Sequence, residues 1–599
     1  MEKIAVTKTE LVWPGKYSQD SMQKEVPAVR LPLHIRERLL WKKAGEVWQE
    51  PWRNKLIWGD NLLVMSALLA EFAGKIDLIY IDPPFATGAD FVFAAPIGNG
   101  RSTGKRRQPV IQEKAYRDTW GRGLSSYLSM LWQRLPLLRE LLSDRGSIYL
   151  HLGWDICSYV LALMNEVFGE NCLQNVIIYN YGKFRHSKER WKRDFDVILF
   201  YAKNPTTWTF NHDAVLDQYR ERTEIRFDKV DDAGRRYKIV KGRRVYYQGG
   251  VTPSSVWRLS NLQMNAVESL GYPTQKTEEL LTKIITASSN PGDLIADFFC
   301  GSGTTLAVAE KFGRRWLGCD LGRLAIHTTR KRLLSLASCR PFDILDLGAD
   351  ERRYWRGVTF AEGAKSGSAP VPSEYQAFIL KLYGAQPVAD LTALHGKKGR
   401  AMVYVGAVDT SISREAVSLA IDECAKLKQP ELHVLGWEWE RDVHGMPTAA
   451  ADAKGVKLCL LQIPREVMEQ RAVEKKDARF FVLASLEVGI EVRRDGSRTA
   501  AATTVTLKNL NYLHFTRRSP AMRTKIKKWS DYIDYWAVDW NFWGDTFVPG
   551  WITYRSGKDR ALALTSDPHL YKKSGKYRAM VKVVDIFGNE TSQEVKIDM

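Results

Sequence analysis

The sequence predicts an α/β protein whose main unit is a doubly wound, mostly parallel sheet, followed by a second α/β unit and a β-rich region. Short β-rich runs such as IDLIYID (76–82) alternate with helical patterns from 56 to 201, and the alternation resumes from about 277 to 340. A smaller alternation begins at AMVYVGA (401–407). Strands that alternate with helical segments are typical of crossover units and parallel sheets.

Composition limits the classes of function. The chain has 599 residues and a formal net charge of +19, so we expect several domains and a polyanionic partner. Its seven cysteines are scattered and form no C-x-x-C pair, which favours a reducing cytoplasm over a disulfide framework or a zinc site. Neither a signal-peptide core nor an apolar run of membrane-spanning length is present, so no membrane partner is expected.

The first candidate site follows the apolar run that ends in Asp82. Pro83 and Pro84 come next, and their rings fix φ and remove two backbone donors. The chain can therefore neither extend the strand nor start a regular helix. A stiff loop results, which presents one carboxylate, backbone carbonyls and the Phe85 ring. We expect this loop to clamp a flat, polar group, although a lone carboxylate at a strand end can also simply cap a helix.

The second candidate site is DLIADFFCGSGTTLAVAEKFGRRWLGCDLG (293–322), which predicts a strand, a glycine turn, a helix and a second strand. Gly301 and Gly303 let the backbone approach a ligand, and Asp320 lies where a carboxylate accepts ribose hydroxyls. Leu306 replaces the third glycine of a dinucleotide site, and Asp297 would repel a pyrophosphate. S-adenosylmethionine, with its cationic amino acid and its ribose, fits better. The alternative for the two glycines is close helix–strand packing.

Both loops follow strands of a parallel sheet, where ligands bind beyond the carboxyl ends. A methyl donor would then lie beside the clamp, whose partner would be a base with an exocyclic amine. Asp82 would accept one amine N–H, the Pro83 carbonyl the other, and Phe85 would stack on the ring. The base must be flipped out of a duplex to reach this position.

Seven motifs together resemble the amino-group DNA methyltransferases of the β class, in which the catalytic motif precedes the cofactor motif. In order and spacing they are similar to the modification subunits of type III restriction–modification systems and to their solitary relatives. Phe85 replaces the family's usual tyrosine, and a long basic loop follows it. The motifs are GDNL (59–62), IDPPF (81–85), AYRDTW (115–120), GSIYLHL (146–152), NEVFGEN (165–171), YPTQKTEELL (272–281) and DFFCGSGTT (297–305).

The resemblance implies a Rossmann-like methyltransferase fold with circularly ordered motifs, and it assigns roles to individual residues. The catalytic residues would be Asp82, Pro83, Pro84 and Phe85. The residues that bind S-adenosylmethionine would be Asp297, Phe298, Cys300, Gly301, Gly303, Thr304, Asp320, Asp60, Asn61, Thr274 and Lys276.

We expect seven segments along the chain. They are an N-terminal extension (1–50), the catalytic half of the core (51–204), a target-recognition insert (205–255), the cofactor half of the core (256–345), a linker (346–375), a C-terminal α/β domain (376–515) and a β-rich module (516–599).

Basic residues interleaved with aromatic ones are expected to contact DNA, although a solvated surface is the plain alternative. His151 and His186 have no metal-ligand spacing around them, and no metal is expected. The expected DNA contacts are Arg106, Arg107, Lys183, Arg185, Arg190, Lys192, Arg193, Arg243 and Arg244.

The sequence therefore predicts a site-specific methyltransferase that acts on adenine N6 in double-stranded DNA, in restriction–modification or phage defence. The family tends to pair an initial aspartate with adenine and an initial serine with cytosine, which favours adenine. The alternatives are an N4-cytosine enzyme, an RNA or protein-amine methyltransferase, and a catalytically idle DNA-binding subunit. A second copy of the chain, or a restriction or helicase subunit, would be its protein partner.

Overall fold

The architecture comes from a computed structural model. The residues it describes are 10–14, 16–17, 30–40, 51–84, 90–98, 110–117, 123–182, 188–189, 191–217, 226–247, 250–260, 262, 266, 268–360, 374–440, 443, 446–468, 480–494, 501–512, 526–544, 546–556 and 559–599.

Ten α-helices lie within these residues. They are α1 (Asn61–Phe72), α2 (Leu124–Leu141), α3 (Cys157–Phe168), α4 (Glu278–Ser288), α5 (Thr304–Lys311), α6 (Arg323–Leu334), α7 (Gly348–Phe360), α8 (Glu374–Tyr383), α9 (Arg414–Lys426) and α10 (Met446–Ala453). None of them is long and apolar enough to cross a membrane.

The strands of the described residues are β1 (His34–Leu39), β2 (Asn54–Trp58), β3 (Ile76–Ile81), β4 (Asp90–Pro96), β5 (Val110–Arg117), β6 (Leu142–Gly153), β7 (Leu173–Asn180), β8 (Phe195–Ala202), β9 (Lys229–Val230), β10 (Arg236–Val240), β11 (Arg243–Tyr246), β12 (Val256–Arg258), β13 (Leu294–Asp297), β14 (Arg315–Asp320), β15 (Phe342–Asp346), β16 (Gln386–Pro387), β17 (Gly396–Lys398), β18 (Ala401–Val405), β19 (Glu431–Gly436), β20 (Lys457–Gln462), β21 (Phe481–Val482), β22 (Ala484–Arg493), β23 (Ala501–Tyr512), β24 (Ile533–Asp539), β25 (Trp551–Tyr554), β26 (His569–Tyr571), β27 (Lys576–Asp585) and β28 (Glu590–Asp598).

The main unit is a ten-stranded sheet in the order β1-β15-β2-β14-β13-β3-β6-β8-β7-β12. Its centre, from β15 to β6, is parallel, whereas β8 runs antiparallel to both of its neighbours and β1 runs antiparallel to β15. This arrangement confirms the predicted doubly wound α/β fold. The centre is apolar on both faces, as expected for strands covered on both sides: Leu78 and Ile79, which point to opposite faces of β3, are both fully buried.

The two faces of the sheet are covered by different parts of the chain. Helices α1, α2 and α3 pack on one face, with Leu131 and Val160 in the core. Helices α4, α5 and α6 pack on the other face, where the apolar cluster continues into Tyr535 and Val584 of the C-terminal region. The part of the chain from Tyr535 to Val584 therefore contributes to the core of the main unit.

Beyond the main sheet, the chain forms the two units that the sequence predicts, while the expected segment boundaries stay predictions. Strands β16–β21 form a six-stranded sheet in chain order, with parallel strands at its centre. Residues 484–599, here called the C-terminal β module, contain a three-stranded sheet (β22-β23-β26) and a four-stranded sheet (β25-β24-β27-β28). The FGNE turn joins β27 to β28 as expected, and Gly588 adopts a φ of +81° there.

Candidate active site

Three carboxylates lie at the ends of three adjacent parallel strands. Asp320 ends β14, Asp297 ends β13, and Asp82 directly follows β3. The three strands are neighbours in the sheet, and Asp297 pairs with Gly318 while Ala296 pairs with Ile79. The catalytic and cofactor motifs therefore meet at one edge, where the sequence places them.

Asp82 is held by a lysine from a distant part of the chain. Lys276 Nζ lies 2.7 Å from Asp82 Oδ2, and both side chains are largely buried. The other oxygen, Oδ1, is buried and has no hydrogen-bond partner among the described residues. Pro83 is buried and Pro84 is half-buried, whereas Phe85 lies outside the described residues. The lysine thus leaves one carboxylate oxygen as an unused acceptor.

A buried hydrogen-bond chain lies behind this loop. The Tyr80 hydroxyl is 2.9 Å from His151 Nδ1, and His151 Nε2 is 3.3 Å from Asp196 Oδ2. Tyr181 donates to the other oxygen of Asp196 at 3.3 Å. Burial and the Lys276 charge lower the pKa of His151, so the imidazole is neutral at pH 7. His151, which the sequence left without a role, therefore supports the strand that carries Asp82.

The glycine turn between β13 and α5 needs glycine at both positions. Gly301 and Gly303 have φ values of +51° and +72°, where a Cβ atom is strained. A Cβ on Gly303 would also lie 2.6 Å from Thr329 of α6, and one on Gly301 would lie 3.3 Å from Tyr272. Close packing against Thr329 thus accounts for part of the requirement for glycine at position 303. The positive φ accounts for that requirement at both positions.

The two acids beside the turn hold its shape. Asp320 accepts hydrogen bonds from the backbone N–H groups of Gly301 (2.9 Å) and Gly322 (2.8 Å). Asp297 accepts from Phe299 N (3.0 Å) and from the Thr305 hydroxyl (2.6 Å). Burial raises the pKa of Asp297 to about 7 and that of Asp320 to about 6. Both groups would gain from a cationic or hydrogen-bond-donating ligand that favours the charged form.

Asp60 and Asn61 lie beside the turn, but their side chains are engaged by the protein. Asn61 donates to the Phe298 carbonyl at 2.8 Å. Arg134 of α2 donates to Asn61 Oδ1 at 2.5 Å and to Asp60 Oδ1 at 2.8 Å. Asp60 also caps α1 through the N–H of Leu62. No local sequence pattern indicates Arg134, because it contacts these residues only once α1 and α2 are packed.

The segment 272–276 lies over the glycine turn. Thr274 has a φ of +60°, and the Lys276 carbonyl accepts from the Thr304 hydroxyl at 3.2 Å. Thr304, Phe298 and Cys300 are buried beneath the turn. All the residues expected to bind the cofactor thus lie in the glycine turn or in the segments that contact it.

The expected DNA-binding residues fall into two described groups. Lys192 and Arg193 are exposed near the end of β7, with the Arg193 guanidinium 4.2 Å from the Trp154 ring centroid. Arg243 and Arg244 are exposed on β11 of the small sheet β9–β11, where Arg244 lies 4.9 Å from the Tyr237 ring. Arg106, Arg107, Lys183, Arg185 and Arg190 lie outside the described residues.

Comparison with known proteins gives one family and a set of relatives. The family described as DNA methylase, with N6- and N4-directed members, matches residues 76–331. The chain is 29% identical to the type II methyltransferase M.EcaI of Enterobacter cloacae, over 47% of this chain and 69% of the relative. It is 26% identical to the DNA adenine methyltransferase YhdJ of Escherichia coli, over 46% and 82%. The Mod subunit of the type III enzyme StyLTI from Salmonella typhimurium is 25% identical, over 46% and 53%.

Proposed function

We propose that the chain, whose residues 76–331 match the DNA methylase family, transfers a methyl group from S-adenosylmethionine to the N6 amine of an adenine in duplex DNA. The observation that supports this chemistry most directly is the Asp82 carboxylate. One of its oxygens is fixed by Lys276, and the other is buried without a partner among the described residues. A buried acceptor without a donor is costly, and an amine N–H would satisfy it.

Asp82 acts on the target amine. Its Oδ1 atom accepts one N–H of the adenine amine, and the Pro83 carbonyl accepts the other. These bonds draw the nitrogen toward tetrahedral geometry and so localise its lone pair for attack. S-adenosylmethionine supplies the electrophilic methyl group. Asp82 is then the group positioned to take the proton that the amine releases.

The residues around the glycine turn fit the methyl donor. Asp297 is buried with a raised pKa, so a cationic ammonium group beside it would restore its charge. Asp320 already accepts two backbone N–H groups, and carboxylate oxygens retain further lone pairs for ribose hydroxyls. Gly301 and Gly303, whose φ values are positive, carry no side chain that would block a ligand beside the turn.

Adenine is the proposed target because Asp82 opens the catalytic motif, and because one relative is named as a DNA adenine methyltransferase. The test is methyl transfer from labelled S-adenosylmethionine to duplex DNA, RNA and protein, followed by digestion of the DNA to nucleosides. We expect N6-methyladenine. N4-methylcytosine alone would overturn the choice of base, and label in RNA or protein alone would overturn the choice of substrate.

A protein partner is proposed on narrower grounds. One relative is named as a subunit of a restriction–modification enzyme. We infer that this chain associates with a second copy of itself or with a restriction or helicase subunit. Sedimentation of the purified chain with and without duplex DNA tests self-association, and a monomer under both conditions would exclude it.

A further inference from the structure

The hairpin β4–β5 begins shortly after the Asp82–Pro84 loop and forms a two-stranded sheet of its own. Its strands pair with each other from Asp90 opposite Arg117 to Pro96 opposite Val110. Within the described part of the chain, neither strand joins another sheet. Because isolated two-stranded hairpins are marginally stable in water, this one needs support from elsewhere.

The support comes from the C-terminal β module. Ile97, at the tip of the hairpin, is 3% exposed and belongs to the module's own apolar core, together with Trp540 and Val581. The next carbonyl, that of Gly98, accepts a hydrogen bond of 3.0 Å from Nε of Arg560, which is itself buried. The hairpin tip is therefore part of the module, although the two are more than four hundred residues apart.

Gly98 is fixed by this contact as well. Its φ is +60°, and a Cβ atom placed on it would lie 2.6 Å from Asp531 Oδ1. The module thus approaches the hairpin backbone so closely that no side chain fits at position 98 while Asp531 is present. An apolar anchor, a buried backbone hydrogen bond and a close approach all hold the same point.

We propose that the C-terminal β module positions the catalytic loop by holding the tip of this hairpin. Ile97, Gly98 and Arg560 are then positioning residues for methyl transfer, and the inference rests on the proposed function. The first strand of the hairpin leaves the Asp82–Pro84 loop, and the second leads toward α2, whose Arg134 holds Asp60 and Asn61. Fixing the tip therefore constrains the backbone on both sides of the site.

This arrangement also explains why a methyltransferase core carries the module. The module holds the described end of the hairpin at Gly98, and the basic residues Arg101, Lys105, Arg106 and Arg107 follow it in the sequence. A loosened tip would leave the donor site intact, because Asp297, Asp320 and the glycine turn are held by contacts with their own neighbours. Loosening the tip should therefore lower turnover far more than it lowers the affinity for the donor.

The test compares two isoleucine truncations in the same core. Ile97→Ala should lower kcat by about ten- to a hundredfold through misplacement of the loop, and leave the dissociation constant of S-adenosylmethionine within about twofold. Ile597→Ala is the control: Ile597 is 2% exposed and pairs with Tyr577, at the far end of the module sheet from the Ile533–Asp585 pair beside Asp531. Equal losses of kcat in the two variants would overturn the proposal.

A reversible cross-link gives a second measurement. The Cβ positions of residues 98 and 531 are 3.7 Å apart, within the range of a disulfide. In the Ile97→Ala background, the pair Gly98→Cys and Asp531→Cys should restore turnover when oxidised and lose it again on reduction. Each single cysteine variant in that background should stay slow under both conditions.

Failure of the two cysteines to cross-link, or a cross-linked enzyme as slow as Ile97→Ala, would contradict the proposal. If the wild-type chain methylated no nucleic acid, the proposed function would fail instead. Cross-linking in the inactive chain would then still report the contact between hairpin and module.

Discussion

At the residue scale, the proposed methyl transfer depends on how the two oxygens of Asp82 are used. Asp82→Asn removes the charge and offers an amide N–H where an acceptor is needed, so we expect turnover to fall by about a hundredfold or more. The affinity for S-adenosylmethionine should stay unchanged, because the proposal places Asp82 against the target rather than the donor. Single-turnover methylation and calorimetry with the donor measure the two effects. A variant with near wild-type turnover would refute the clamp.

Variants of Lys276 distinguish an effect on Asp82 from an effect on donor binding. Lys276→Met keeps most of the length of the side chain but leaves Asp82 Oδ2 without this partner, so kcat should fall by about a hundredfold. Lys276→Arg restores the charge and should recover part of the rate. If Lys276 instead acts mainly on the donor, as the family resemblance implies, the dissociation constant of S-adenosylmethionine will rise while kcat at saturation stays close to that of the wild type.

The raised pKa values of Asp297 and Asp320 predict how stability and donor affinity change with pH. Burial raises their pKa values to about 7 and about 6, whereas both titrate near 4 in an unfolded chain. Between about pH 4 and 7 the folded chain binds more protons, so these groups make it less stable as the pH rises. A cationic ligand beside Asp297 displaces the proton, so donor affinity should increase from pH 5.5 to 7.5. Calorimetry in buffers of different ionisation enthalpy would detect the released proton, and equal affinity at both pH values would contradict the pairing.

Local pattern predicted much of the site, and long-range contacts account for the rest. Asp82, Asp297 and Asp320 follow apolar runs, and the parallel-sheet rule brings such strand ends together. Lys276 was expected near the donor, but its ion pair with Asp82 depends on how the 272–276 segment crosses the glycine turn. In the sequence, Ile97 is an apolar residue directly before a polar, basic loop. Its burial depends on a module whose position no local pattern encodes.

At the element scale, the small sheet β9–β11 lies within the predicted target-recognition insert. Arg243 and Arg244 project from an exposed strand. If they contact phosphates, Arg243→Ala with Arg244→Ala should weaken DNA binding and reduce the slope of log affinity against log salt by about 2. If they contact base edges, the methylated sequence motif should change instead.

Filter binding across a salt series and methylation-aware sequencing distinguish these two cases. Lys572→Ala with Lys573→Ala removes the same charge from an exposed pair in the C-terminal β module and serves as the control. If the double arginine variant keeps the methylated motif and has the same salt slope as the lysine control, the sheet β9–β11 is not part of the DNA interface.

At the scale of the whole molecule, one helix joins the C-terminal β module to the donor site. On α6, Thr329 donates to the Gly301 carbonyl at 3.0 Å, and Arg332 donates to the Thr304 hydroxyl at 2.8 Å. The opposite side of the same helix faces the module, where Arg330 lies 2.7 Å from Glu590. Main unit and module therefore share buried charges as well as an apolar core, and we expect them to unfold together.

Variants of Asp534 test whether the main unit and the module unfold together. The Asp534 carboxylate lies 2.6 Å from Lys331 Nζ and 2.9 Å from His327 Nε2. Burial alone would raise the pKa of Asp534, but the neighbouring Lys331 charge and the His327 contact hold it below its usual range. Asp534→Asn leaves Lys331 without this partner and should cost about 3 to 5 kcal/mol of unfolding free energy. Adding Lys331→Met should recover part of that loss, since it removes the unpaired charge. Denaturant unfolding followed by tryptophan fluorescence, in parallel with donor binding, would measure both effects. Two separate transitions, with donor binding lost only in the second, would show that the module is an independent attachment and not a support of the site.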